Sequence, residues 1–326
     1  MGSSAGPRER HVVFLDRDTI PLEIVLPALP FPHRLTTHAA TDPTEVGARI
    51  AEADIVITNK VRLTAAALEC APALRMIAVA ATGYDIVDLA ACAARGIGVA
   101  NIRGYAQHTV PEHTFALILA LRRSIVAYDL SVRKGRWQEA NAFCYFDYPV
   151  HDLAGATLGI FGDGVLGRAV GRLGEAFGMT VLFASYKGIS GMGPLYTPFE
   201  EAIRLSDVIS LHAPLTAQSR DMIAAPEFAA MGRRPLVINT ARGGLVNEAD
   251  LADALEGGRI SGAGFDVATS EPPPPDHPFM RLLGRPDFIL TPHVAWSSRE
   301  AIQSLVNQLF ENIALYVAGT PRNLVT

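Results

Sequence analysis

From residue 11 onward the chain alternates short apolar runs with longer, Ala-rich stretches of mixed polarity. Residues 11–15 (HVVFL), 54–58 (DIVIT), 75–80 (RMIAVA) and 97–100 (IGVA) are too short for helices and are largely apolar or β-branched, so they read as buried strands. Between them, 44–53, 64–70 and 85–95 read as helices, and a strand-helix alternation of this kind builds a parallel α/β lobe. The alternation restarts at 157. TLGIF, then TVLF at 180–183, DVISL at 207–211, LVINT at 236–240, GAGFDV at 262–267 and FILT at 288–291 predict a second parallel sheet.

Between the two lobes lies 109–134, predicted helical. Thr109 and Glu112 have the spacing of a capping box with Thr109 as N-cap, and Pro111 falls in the first turn. The apolar residues of 115–121 cover all faces, so that helix must be buried, between the lobes or against another subunit. The opening MGSSAGPRER has no apolar core and reads as a mobile tail over residues 1–10.

Composition narrows the function classes. With 326 residues, 49% hydrophobic and 19% charged, the chain has enough apolar content for full cores in about two domains. A formal net charge of -5 without a basic cluster disfavours nucleic acid and anionic membrane surfaces as partners. No apolar run approaches the roughly 20 residues of a membrane span. Small molecules remain as the expected partners. Cys70, Cys92 and Cys144 are scattered and lack metal-ligand spacing, which fits reduced thiols in the cytoplasm. His108 and His113 are likewise without a metal pattern, so no metal is expected, and no G-x-S-x-G elbow of a serine hydrolase occurs.

Gly162, Gly164 and Gly167 form G-x-G-x-x-G directly after the strand TLGIF and before the helical RAVGRLGEAF. In that context the first glycine permits a tight turn, the second lets a pyrophosphate approach the backbone, and the third allows close helix-strand packing, with the amides at the helix start facing phosphate. A dinucleotide site is therefore expected here. The usual acidic residue at the end of the next strand, which bonds the adenosine ribose, is replaced by Ala184, Ser185, Tyr186 and Lys187. Ser185 removes a carboxylate that would repel a 2′-phosphate, and Lys187 offers a cation, unless it is simply a solvated loop lysine. NAD(H) and NADP(H) both stay open.

Three more segments follow strands of the second sheet, where α/β folds place their chemistry: NTARGG (239–244), DVATSEP (266–272) and TPHVAWSS (291–298). With the glycine motif, their order and spacing resemble the D-isomer-specific 2-hydroxyacid dehydrogenases over nearly the whole chain from about residue 11. NIRGYAQHTVPEH, FCYFDYP and HVAWSS are most similar to the glycerate dehydrogenase or hydroxypyruvate reductase branch.

The resemblance implies two Rossmann-like parallel-sheet domains, with a cofactor domain (102–294) inserted into a discontinuous flavodoxin-like substrate domain (11–101 and 295–326). It implies a catalytic trio of Arg242, Glu271 and His293. Imidazole is suited to deliver a proton to a keto oxygen near neutral pH, a carboxylate in reach fixes its tautomer and favours imidazolium, and a guanidinium fork grips a substrate carboxylate. Cofactor contacts are implied at Gly162, Gly164, Val165, Leu166, Gly167, Ser185, Lys187, His212, Pro214, Thr240 and Asp266, and at Thr109 against the nicotinamide unless it is a plain N-cap. For the 2-hydroxy or 2-keto acid substrate, the resemblance implies backbone amides near Thr82 and Gly83 in AATGYD. Asn59 and Lys60 are added to that set, although Lys60 also suits solvent, and Trp296 shapes the pocket or serves the core. The proline run after Glu271 reads as a stiff exit. A homodimer is expected. Other members of the superfamily serve as dinucleotide-responsive corepressors, a binding-module alternative against which the complete Arg, Glu and His set argues. Formate dehydrogenases lack a glutamate at the position of Glu271.

Overall fold

The computed structural model describes residues 8–326. They divide into two compact units, the chain up to Tyr105 with Ser298–Thr326, and Ala106–Ser297.

In the first unit β1 (Arg10–Phe14), β2 (His33–Thr37), β3 (Ile55–Thr58), β4 (Met76–Val79) and β5 (Gly98–Ala100) form one sheet in the order β2-β1-β3-β4-β5. Every pairing is parallel, and the order is that of the flavodoxin type. β3 and β4 are buried at every position, as strands of a parallel sheet covered on both faces must be. The helices α1 (Val46–Ile50), α2 (Ala65–Glu69) and α3 (Leu89–Ala94) connect them, α2 and α3 starting on side-chain caps from Thr64 and Asp88. The C-terminal helix Arg299–Val317 packs on β4, and the last residues return to β5, where the Val325 amide donates to Val99 O at 2.8 Å.

The second unit comprises α4 (Thr109–Arg122), α5 (Ile125–Arg133), α6 (Arg136–Ala140), β6 (Thr157–Phe161), α7 (Val165–Ala176), β7 (Thr180–Ala184), β8 (Tyr196–Thr197) and α8 (Phe199–Leu205). It continues with β9 (Val208–Leu211), α9 (Ala225–Ala230), β10 (Leu236–Asn239), α10 (Glu248–Glu256), β11 (Gly262–Phe265) and β12 (Phe288–Leu290). Its sheet runs β12-β11-β10-β9-β6-β7-β8, all parallel. Counted from β6, this is the doubly wound dinucleotide-binding order with one strand added, and the order reverses between β6 and β9. Ligands of such sheets bind beyond the carboxyl ends of the strands at that reversal. The protein is thus an α/β chain of two parallel-sheet units, the second inserted in sequence between the two segments of the first.

Three expectations need correction. The helix over 109–134 is two helices, broken where Ser124 takes a left-handed φ of 48° and its hydroxyl donates to Pro149 O at 2.6 Å. Thr109 is not its cap: His108 is the N-cap, and the Thr109 hydroxyl donates to Ala295 O at 2.9 Å. Of the expected tail, residues 1–7 lie outside the described residues, and Arg10 already pairs with His33 in β1. The apolar faces of α4 are covered by β10, β11, β12 and α7 of its own unit.

Candidate active site

β10, β11 and β12 are neighbouring parallel strands, so the segments that follow them emerge at one edge of the sheet. Asn239, 1% exposed at the end of β10, folds the next turn: its Oδ1 accepts the Ala241 amide at 3.0 Å and its Nδ2 donates to Arg242 O at 2.8 Å. Arg242 is left exposed, with Nη1 on Ala241 O at 2.7 Å. Gly243 packs so tightly on the segment after β11 that a Cβ there would stand 2.1 Å from the carbonyl of Ala268. The turn that carries Arg242 therefore lies directly against the segment that leads to Glu271.

That segment has a second support. The Glu248 carboxylate, 5% exposed, accepts the Thr269 amide at 2.8 Å and lies 2.8 Å from Nε2 of the equally buried His277. A carboxylate and an imidazole taken out of water persist only when paired in this way. Thr269 and His277, the two residues that Glu248 holds, flank Glu271 at the start and end of the 269–277 loop.

Asp266, at the end of β11, fixes the loop that follows β12. Its carboxylate is 1% exposed and accepts the Thr291 hydroxyl at 2.5 Å and the amides of Val294 and Ala295 at 2.9 and 2.8 Å. Asp266, expected among the cofactor contacts, is thereby placed beneath the loop that carries His293. The His293 amide donates to Asp266 O at 2.8 Å, the Trp296 indole donates to His293 O at 2.9 Å, and His293 is held at a left-handed φ of 55°. A non-glycine residue stays in that conformation only where its surroundings fix it. The result is that Nδ1 of His293 stands 2.7 Å from Glu271 Oε2, while Glu271 Oε1 accepts the Ala268 amide at 3.1 Å. A carboxylate can only accept, so Nδ1 carries the hydrogen and Nε2 is the nitrogen available to a reacting atom. The side chains are 27% and 38% exposed, open enough to be reached by a small molecule.

The glycine turn lies at the reversal of strand order. Gly162 has φ 114°, and a Cβ there would lie 2.5 Å from the Ala213 amide nitrogen; a Cβ on Gly167 would lie 2.0 Å from Gly162 O. Only glycines allow this turn and helix to meet. Gly164, by contrast, has open space where a side chain would be, and α7 begins at Val165 with the first-turn amides of Val165, Leu166 and Gly167 lacking partners within the helix. A bare turn with free amides at a helix start fits a dinucleotide pyrophosphate. Asp163 inside the motif takes the hydroxyls of Tyr196 at 2.6 Å and Tyr186 at 3.2 Å, and the Tyr196 bond is the main cause that holds its carboxyl below the usual range.

His212 follows β9 with Nε2 2.8 Å from Ser210 Oγ, and desolvation lowers it to about 4, so it is a neutral imidazole at physiological pH. Pro214 is exposed, and its carbonyl accepts the Ser219 hydroxyl at 2.6 Å. Thr240 is buried with its hydroxyl 2.9 Å from that of Thr114. Ser185 is buried at the end of β7, beside a cavity of about 430 Å3 that Gly188, Tyr196, Phe199 and Glu200 also line. Lys187 is not the free cation the sequence suggested: Nζ lies 2.7 Å from Glu227 Oε1 and donates to Met222 O at 3.0 Å.

In the first unit, Asn59 and Lys60 follow β3, and the carboxylate of buried Asp16 at the end of β1 accepts the amides of Asn59 at 3.0 Å, Lys60 at 2.6 Å and Val61 at 3.2 Å. Burial raises the Asp16 carboxyl despite those bonds. Thr82 is exposed and Gly83 half-buried after β4, with Thr82 O accepting from Asn101 Nδ2 at 2.8 Å. Asp16, Asn239, Glu227 and the Glu248-His277 pair escaped the sequence reading. The signal for the first two was the polar residue closing an apolar strand, D after HVVFL and N after LVI; the others have none.

Residues 115–295 match the family described as D-isomer specific 2-hydroxyacid dehydrogenase, NAD binding domain. The glycerate dehydrogenase of Methylorubrum extorquens is 48% identical over 97% of this chain and 99% of its own length. The chain belongs to the D-isomer-specific 2-hydroxyacid dehydrogenases. A hydroxypyruvate reductase of Blautia hydrogenotrophica is 36% identical over 87% of this chain and 88% of its own. Among solved structures, an NADPH-dependent glyoxylate/hydroxypyruvate reductase from Sinorhizobium meliloti superposes with a TM-score of 0.81 at 28% identity, covering 97% of this dehydrogenase and 98% of the other chain. The protein is an oxidoreductase that moves a hydride between a nicotinamide dinucleotide and a 2-hydroxy acid or 2-keto acid. Among the described residues no helix is long and apolar enough to cross a membrane, and no group of His, Cys, Asp and Glu is placed to hold a metal ion.

Proposed function

We propose that this dehydrogenase interconverts D-glycerate and hydroxypyruvate, with glyoxylate as a further keto acid, and that Arg242, Glu271 and His293 are its catalytic residues. The single observation that carries the assignment of residues is the 2.7 Å bond between His293 and Glu271, beside the Arg242 turn. The substrate assignment is supported by the 48% identity to a glycerate dehydrogenase.

The nicotinamide supplies the hydride in reduction and accepts it in oxidation. In the proposal, His293 Nε2 gives a proton to the keto oxygen as charge develops there, and takes it back in the reverse direction. Glu271 fixes the tautomer that leaves Nε2 outward and stabilises the imidazolium. The exposed fork of Arg242 grips the substrate carboxylate and polarises the carbonyl, a task that a point charge performs less well. The amides at Thr82 and Gly83, with Asn59 and Lys60, are proposed to receive the carboxylate, and Trp296, whose indole props the His293 carbonyl, to shape the pocket. The bare turn of Gly162, Gly164 and Gly167 and the amides of α7 are proposed to hold the pyrophosphate, with His212, Pro214, Thr240 and Thr109 along the rest of the dinucleotide.

The large exposed apolar residues Ile125, Leu130, Trp137, Phe143, Phe146 and Val150 fall within one stretch, and Phe143 and Phe146 are 90% and 88% exposed. A concentration of this kind marks an association surface, and a homodimer is proposed on it. A cytoplasmic location is proposed from the unpaired Cys70, Cys92 and Cys144.

The test is a spectrophotometric panel of hydroxypyruvate, glyoxylate and pyruvate with each reduced cofactor. Hydroxypyruvate is expected to give the highest kcat/KM, and His293→Ala to be inert with all three. A preference for pyruvate would overturn the substrate assignment, and an active His293→Ala enzyme the assignment of the acid.

A further inference from the structure

We propose that Glu227 determines which dinucleotide this dehydrogenase prefers, by holding Lys187 in an ion pair and so denying a 2′-phosphate its cation. The proposal rests on the assignment of the β7 end to the adenosine ribose.

In a doubly wound sheet the residues that follow the second strand meet the ribose 2′-position, and an acidic residue or an arginine there decides the cofactor. Here that strand is β7, and Ser185 is neutral, so the discriminating charge must come from elsewhere. Lys187 is the cation the loop supplies. Its Nζ lies 2.7 Å from Glu227 Oε1, donates to Met222 O at 3.0 Å and stands 5.8 Å from the centre of the Phe199 ring.

The pair is sheltered on the acidic side. The Glu227 side chain is only 12% exposed against 38% for Lys187, and its second oxygen accepts the Ala224 amide at 2.9 Å at the start of α9. The carboxylate is thus fixed by the backbone, and the flexible lysine comes to it. The other charged groups at this end do not replace the cation: Arg168 is on Asp163, with Nε on its carbonyl at 2.8 Å and Nη2 3.3 Å from its carboxylate, and Glu200 adds a carboxylate to the lining of the 430 Å3 cavity. A 2′-phosphate brought to this loop meets a neutralised lysine and the further carboxylate of Glu200. A bare ribose hydroxyl meets Ser185 and no such cost.

Gln at 227 keeps an oxygen for the Ala224 amide and removes the charge, releasing Lys187. A charge-assisted hydrogen bond to phosphate then becomes available. Direct binding of NADH and NADPH, read by the fluorescence of the reduced nicotinamide without substrate, gives the ratio of the two Kd values. In Glu227→Gln this ratio, NADPH over NADH, is expected to fall by about fivefold or more, and in Glu227→Gln/Lys187→Met to return to the wild-type value. Glu227→Ala serves as a second carboxylate-free variant, expected to move the ratio in the same direction. A ratio that moves less than about fivefold, or a gain that survives loss of the lysine, overturns the proposal. Absence of any NADH binding to the wild-type protein would instead overturn the assignment of the glycine turn, which separates the two failures.

Discussion

His293 and Glu271 are joined by a 2.7 Å hydrogen bond although 22 residues separate them, and each is independently fixed by backbone bonds, His293 through Asp266 and Glu271 through the Ala268 amide. The pair is preorganised: neither side chain has to search for the other when a substrate arrives. Preorganisation of this kind removes reorganisation cost from the chemical step.

Glu271→Gln isolates the charge in that pair. The amide oxygen still accepts from Nδ1, so the tautomer survives, but imidazolium loses its counter-charge. For reduction, which uses the protonated ring, kcat/KM is expected to fall by about tenfold or more at neutral pH, with the Kd for NADH little changed. Hydroxypyruvate reduction and NADH binding measured on the same sample check this. A variant with full turnover would show that Glu271 only buttresses the loop.

Asp266→Asn presents an amide donor to the donors of Thr291, Val294 and Ala295. At least one buried group is left without an acceptor, at a cost of about 2 kcal/mol. Because the same loop sets the φ of His293, kcat should fall together with the urea midpoint, while the Kd for NADH should change much less. A destabilised variant with full kcat would mean that the loop does not need Asp266 to place the imidazole.

His212 gives the fold a pH limit. Desolvation lowers it to about 4 in the folded chain against an ordinary 6.5, so the unfolded chain binds the extra proton between those values. Its neutral state costs nothing above about pH 6.5, and stability falls as pH drops from there toward 4, by up to about 3 kcal/mol. His212→Asn, which can keep a bond to Ser210 Oγ, should be more resistant to that loss than wild type. Urea denaturation at pH 7 and pH 5 decides it: equal losses in the two proteins would assign the acid sensitivity to other groups.

The parallel strands were legible because full burial makes them continuous apolar runs, from IVIT to LVIN, and the glycine turn was legible because backbone contact admits no other residue. β2 was not, since HRLTT lies at the sheet edge, where half-exposed strands need no apolar pattern. The break at Ser124 was hidden for a different reason, because a single left-handed residue leaves the hydrophobic periodicity on both sides intact. Within the site, the proposed trio is named by the family resemblance that its motifs carry. The partners that aim it do not, since Asp266, Glu248 and Glu227 act through contacts 21 to 40 residues away, and their meaning appears only when the strands are side by side. Lys187 shows the same limit: its charge is visible in the sequence, its neutralisation is not.

Gly243 offers the sharpest test of how the Arg242 turn and the Glu271 segment depend on each other. A Cβ at this position would stand 2.1 Å from both the carbonyl carbon and oxygen of Ala268 and 2.4 Å from the Thr269 amide nitrogen. All three are backbone atoms, and Thr269 is itself bound to Glu248, so the clash has no flexible side chain to absorb it. In Gly243→Ala the turn and the segment must move apart. Overpacking should lower stability by about 2 kcal/mol. Misplacement of the guanidinium relative to the imidazole should reduce kcat/KM by about a hundredfold, as a displacement of roughly 1 Å does to preorganised sites. The glycine turn belongs to β6 and lies apart from this contact, so the Kd for NADH should stay within about threefold. Turnover and cofactor binding measured on the same folded sample separate the outcomes: retained activity would show that Arg242 does not need the Ala268 contact to do its work, and loss of both together would reduce the effect to general unfolding.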